Sequence, residues 1–104
     1  MTKQFNTEKS LNQHEEFRKK LGDQLSEKLS RFAEHITRLE VHLSDENGQK
    51  TGQNDKKCLL EARVEGRSPL AVTAGAQNYE LAVNAAIDKL RSSLDTIFGR
   101  MQHH

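Results

Sequence analysis

The 104-residue sequence contains one cysteine, one proline, no tryptophan and 5% aromatic residues. A lone Cys58 excludes an internal disulfide and agrees with a reducing compartment. With apolar side chains at 34%, a chain this short buries only about 60–65% of its unfolded surface. Its core is therefore one thin layer of helices against a sheet or against each other, without room for a deep catalytic cavity. No stretch approaches the ~20 apolar residues of a membrane span, and Met1-Thr2-Lys3-Gln4-Phe5 lacks the apolar run of a secretory signal. A single domain over residues 1–104, soluble and cytoplasmic, is the expectation. Charge of one sign is missing too: 16 Lys and Arg face 15 Asp and Glu, a net charge of +1. A nucleic-acid binder with this balance has to sort its charges in space.

What is present is periodicity. Lys3-Gln4-Phe5-Asn6-Thr7 alternates weakly and predicts an edge strand, followed by a loop at Asn6, Thr7 and Ser10. From about His14 to Phe32 the apolar residues Phe17, Leu21, Leu25, Leu29 and Phe32 fall within one third of a helical wheel. Gly22 lies inside that helix at a cost of about 1 kcal/mol relative to alanine. Thr37, Leu39, Val41 and Leu43 then alternate with Arg38, Glu40, His42 and Ser44, the pattern of a half-buried strand. A polar stretch from Asp45 to Lys56 predicts a long, mobile hairpin loop. Cys58, Leu60, Ala62 and Val64 alternate with charged neighbours, with Leu59 the exception. After the turn Gly66-Arg67-Ser68-Pro69, a further strand carries Leu70, Val72 and Ala74 inward, Ala71 and Thr73 outward.

The helical period returns with Val83, Ala86, Ile87, Leu90, Leu94, Ile97, Phe98 and Met101. Asn78 is its predicted N-cap, Glu80 meets the helix dipole, and Gly99 offers the stop after Phe98. Gln102-His103-His104 closes the chain as a tail from about residue 100. The fold class is thus α+β in the order β-α-β-β-β-α: a four-stranded sheet with two helices packed on one face and the first strand parallel to its neighbour. The opposite, solvated face carries Arg38, Glu40, His42, Lys57, Glu61, Arg63 and Glu65 in mixed signs. Cross-strand charge pairing is the expected role of that face, with a binding role for Arg38, Lys57 and Arg63 as the alternative.

The motifs of common chemistries are missing. His35 and His42 have no cysteine or carboxylate at ligand spacing, so no native metal site is expected, and nothing implies a cofactor. Cys58 falls on the apolar side of its strand, a core position. There is no phosphate-binding glycine loop, nucleophile elbow or zinc-protease helix. The acids Glu15-Glu16 and Asp45-Glu46 are placed in solvent, where a carboxyl gains nothing as a general acid. Catalysis on a small-molecule substrate is not expected.

The cations are more informative. On the first helical wheel Lys20, Lys28 and Arg31 fall within about 80° of one another along the edge of the apolar stripe, with Asp23 and Glu27 beyond them. On the second, Lys89 and Arg100 share a flank with Ser93 and Thr96, and Arg91 borders the other side. Cations spaced along a ridge suit a phosphate backbone, while the same stems also cover the edge of a core stripe.

Three segments, Ile36-Thr37-Arg38-Leu39-Glu40-Val41-His42-Leu43-Ser44, Cys58-Leu59-Leu60-Glu61-Ala62-Arg63-Val64 and Ala82-Val83-Asn84-Ala85-Ala86-Ile87-Asp88-Lys89-Leu90, together with Tyr79 near the last helix start, resemble the bacterial ribosome hibernation promoting factor and ribosome-associated inhibitor family. The resemblance covers roughly Lys3 to Phe98. It implies a fold related to double-stranded-RNA-binding domains and a partner, the small ribosomal subunit, whose decoding region the protein occupies through ribosomal RNA contacts. It also implies a basic role for Lys89 and Arg18, with Lys20, Lys28 and Arg31 as near matches. Where the family's last helix continues with further Lys and Arg, this chain has Ser92, Ser93, Asp95 and Thr96, leaving Arg91 and Arg100. Fewer phosphate contacts imply a shallower salt dependence. The chain resembles a short form, expected not to pair ribosomes unaided. A protein-interaction or transcription-linked module that has lost the RNA surface is the alternative.

Overall fold

The computed structural model describes residues 1–7, 15–45 and 56–99. Strand β1 (Thr2–Thr7) is followed by helix α1 (Glu15–Lys28), a 3-10 turn (Ser30–Phe32), strands β2 (Ile36–Asp45), β3 (Lys56–Val64) and β4 (Leu70–Ala76), helix α2 (Tyr79–Leu94) and a π turn (Asp95–Gly99). The four strands form one sheet in the order β1-β2-β3-β4. β1 pairs with β2 in parallel, and β2–β3 and β3–β4 are antiparallel. The expected helix start at His14, most of the hairpin loop and the tail from Arg100 lie outside the described residues.

Alternation sets the register. Leu39 faces Ala62, Val41 faces Leu60 and Leu43 faces Cys58, all buried on the face that carries the helices. Leu21, Leu25 and Leu29 meet this layer from α1; Ala82, Val83, Ala86, Ile87, Leu90 and Leu94 meet it from α2. A one-residue slip of β2 on β3 would turn every one of these strand residues into solvent, so burial fixes the pairing. Burial also pushes the Cys58 thiol from 9.0 up to about 12.

Several boundaries depart from the sequence pattern for local reasons. The first helix does not run unbroken to Phe32. After Lys28 the chain tightens, with Phe32 N–H donating to Leu29 C=O at 2.9 Å and His35 N–H to Phe32 C=O at 2.9 Å. The tighter turn keeps Leu29 and Phe32 buried while redirecting the chain into β2. Thr37 is exposed rather than inward: a bulge lies where Ile36 pairs with Val64 and Arg38 already pairs with Arg63, so Ile36 takes the buried place. The second helix ends as an α-helix at Leu94, and the wider turn that follows accompanies Phe98 onto His35, with ring centroids 4.2 Å apart, and beside Phe32 at 6.3 Å. Its start matches expectation: the Asn78 side chain accepts from Leu81 N–H at 2.8 Å.

The solvated face differs from expectation in its charge pattern. Opposite signs do not face each other; Arg38 is opposite Arg63 and Glu40 opposite Glu61. The core pairs Leu39–Ala62 and Val41–Leu60 determine the register, and the outer residues take the partners that remain.

Lys3 ties β1 to α1, its ammonium donating to Gly22 C=O at 3.1 Å and to the Ser26 hydroxyl. A Cβ built at Gly22 would meet Lys3 Nζ at 3.7 Å and the Phe5 ring at 3.8 Å, ordinary contact distances. Gly22→Ala should therefore raise stability by about 0.5–1 kcal/mol, read as a higher urea midpoint with an unchanged slope. Cys58 gives a second test. Below pH 9 both folded and unfolded thiols hold their proton; between about pH 9 and 12 only the folded one does, so stability falls as pH rises through that window. Alkylation of the native protein at pH 8 should proceed only as fast as unfolding exposes the sulfur.

Candidate nucleic-acid interface

Each helix buries one stripe on the sheet, which leaves their flanks side by side. Contacts between them run in step along both chains: Lys20 Nζ lies 3.2 Å from Glu80 Oε2, Gln24 bonds to Asn84, Lys28 Nζ donates to Asn84 Oδ1 at 2.6 Å, and Arg31 meets Asp95 at 2.6 Å. The numbers rise together, so the helices run parallel. Phe17 and Tyr79 close the start of the pair edge to face, with centroids 6.2 Å apart. At the other end the Arg31 guanidinium lies 4.9 Å above the Phe32 ring.

The structure thus brings Lys20, Lys28 and Arg31 onto one groove. Arg91, half-buried, follows Asn84 by seven residues and falls on the same α2 stripe by helical period. The other expected cations are elsewhere. Arg18 is on the far flank of α1, lining a cleft with Lys3, Phe5, Glu15, Lys19 and Asp23. Its Nε is buried without a hydrogen-bond partner. Lys89 reaches the sheet edge, donating to Thr73 C=O at 2.7 Å. Arg100 lies outside the described residues.

The groove is not uniformly positive. Lys20 and Lys28 share its lining with Asp23, Glu27 and Glu80. Its ion pairs are wet: side-chain exposure is 62% and 48% for Lys20–Glu80, and 61% and 47% for Arg31–Asp95. Exposed pairs contribute at most about 1 kcal/mol each, so an incoming phosphate can take the place of either carboxylate at little cost. Meanwhile the pairs hold long side chains extended over the groove. Asn84, Gln24, Glu80 and Asp95, which do this positioning, are invisible as functional residues in the sequence, because the offset between two helices exists only once both rest on the sheet. Among the described residues no cluster of three or more histidine, cysteine or acidic side chains is arranged to hold a metal. No helix among them is long and apolar enough to cross a membrane.

Comparison with known proteins bears on the fold and the family. Residues 7–102 match the family model described as sigma 54 modulation protein / S30EA ribosomal protein. The crystal structure of the Thermus thermophilus Protein Y N-terminal domain superposes with a TM-score of 0.66 at 16% identity, covering 93% of this chain and 99% of that one. Among curated proteins nothing matches significantly.

If the cross-helix ion pairs position rather than stabilise, the double variant Glu80→Gln with Asp95→Asn should lose less than about 2 kcal/mol in a urea titration, with an unchanged slope. A larger loss would make the groove a structural brace.

Proposed function

The chain belongs to the sigma 54 modulation protein / S30EA ribosomal protein family, whose members are ribosome-associated modulators rather than enzymes, and from that premise we propose that it occupies the decoding region of the small ribosomal subunit, anchored by ribosomal RNA. The observation that carries this reading is the groove: Lys20, Lys28 and Arg31 lie along one wall, held out by α2, with Arg91 in line on the other. A phosphate backbone entering it exchanges with Glu80 and Asp95, releases counterions and meets ammonium and guanidinium groups already extended. Arg18 and Lys89 add cations on the outer flanks, and Arg100 extends the series along the chain.

Inhibition then follows from volume. A folded domain in the channel used by messenger and transfer RNA excludes both, and no covalent step is needed. Release is equally simple, because exposed ion pairs and phosphate contacts are sensitive to salt. The acids of the groove and the Ser92, Ser93, Asp95, Thr96 sequence make the grip weaker than a fully basic helix would. A ribosome-bound protein works in the cytoplasm, without a cofactor or small-molecule substrate.

The alternative is a protein-interaction or transcription-linked module, which draws on Asp23, Glu27 and Glu80 in the same groove. Co-sedimentation with small ribosomal subunits over a salt series separates the two. Wild-type protein should pellet at low salt and dissociate steeply as salt rises. Lys20→Gln with Lys28→Gln should bind about tenfold or more weakly, with a log–log salt slope reduced by roughly 1.4–1.8. Salt-insensitive binding, or none at low salt, sinks the RNA reading.

A further inference from the structure

The sheet face turned away from the helices carries a second cationic feature. Arg38 on β2 and Arg63 on β3 are direct cross-strand partners. Like charges in that position repel, a cost that a bound anion would relieve. The bulge at Thr37 lies beside this pair, and the Thr37 hydroxyl donates to Arg63 C=O at 3.1 Å. Thr2 on β1 is opposite Arg38 in the parallel ladder, so a hydroxyl flanks the guanidinium pair on the same face. Arg38 Nε is buried without a hydrogen-bond partner. Neither arginine makes an ion pair with a described residue, although Glu40 and Glu61 occupy the next row.

We propose that Arg38 and Arg63 form a second phosphate seat, on the face opposite the helix groove, that takes one phosphodiester of an RNA strand. The register sets the two arginines next to each other on adjacent strands, where two guanidinium forks can share the oxygens of a single phosphate, with Thr2 next in the same row. The carboxylates of Glu40 and Glu61 stand in the next row, two residues along each strand and so about 7 Å away along the backbone, which leaves an oxyanion between the arginines nearer to the positive charges. With energy falling as the inverse of distance, attraction outweighs repulsion. The Glu40–Glu61 row also sets a direction, because a backbone running along the strands would meet it next. The RNA must cross the sheet along the Thr2–Arg38–Arg63 row. The identity of the polyanion rests on the ribosomal reading above. With seats on both faces of the layer, the domain would touch two RNA walls at once, as a plug does.

The test follows the arginine Nε–H resonances of the full-length protein by NMR during titration with a short oligouridylate, and separately with polyglutamate. Oligouridylate should move both resonances. Arg38→Gln and Arg63→Gln should each weaken binding about tenfold, and the double variant should lower the salt slope by about 0.7, the share of one phosphate, while the free single variants melt no lower than wild type because the like-charge contact is relieved. Resonances that stay still with oligouridylate, or respond only to polyglutamate, overturn the seat, as do variants that bind as well as wild type. A lowered melting point in both free variants would mark the arginines as structural and overturn it as well. If wild type fails to pellet with small subunits yet the resonances respond to oligouridylate, the ribosomal reading falls and the seat stands. Pelleting with silent resonances gives the reverse.

Discussion

Most apolar side chains among the described residues of this small protein reach one layer. The sheet offers a single buried face, and both helices offer a single stripe, so Leu39, Val41, Leu43, Cys58, Leu60 and Ala62 must point the same way as Leu21, Leu25, Ile87 and Leu90 meet them. With hydrophobic burial worth about 25 cal/mol per Å², this requirement outweighs any preference among the charges outside. Register, helix placement and helix direction are consequences of it. The outer face shows this most plainly, where Arg38 opposes Arg63 and Glu40 opposes Glu61 because the core pairs between them leave no other choice.

The same constraint makes the groove. Two parallel helices pressed on one sheet, with the turns that follow them, bring Lys20 near Glu80 and Arg31 near Asp95, so cations of the first helix and its turn are held in solvent by acids of the second. Near-neutral composition and an RNA partner are compatible on these terms. Exposed pairs are weak enough to exchange and ordered enough to keep the side chains extended. An arrangement of this kind favours reversible attachment.

In the proposed complex the two faces have different work. The helix side offers a groove with several cations spread along it; the sheet side offers one paired position bounded by acids. The first suits a continuous backbone, the second a single phosphate. The bulge at Thr37 joins the two levels of organisation, since it moves Thr37 outward while Ile36 and Leu39 remain in the core.

Element order, strand faces apart from Thr37, the Asn78 cap and the core role of Cys58 were legible in the residues, because periods of 2 and 3.6 and local capping chemistry act within a few positions of the chain. The nearness of Lys20 and Lys28 was legible for the same reason, both belonging to one local wheel, while Arg31 reaches the same side from the 3-10 turn after the helix. Their acidic and amide partners were not, nor were the separation of Arg18 and Lys89 from the groove, the break before Ser30 or the wider turn after Leu94. Those depend on how one helix is offset from the other and on where the chain must turn to bury Phe32. Which like charges face each other across β2 and β3 was decided only in the folded sheet, since distant residues become neighbours solely through the register that the core imposes.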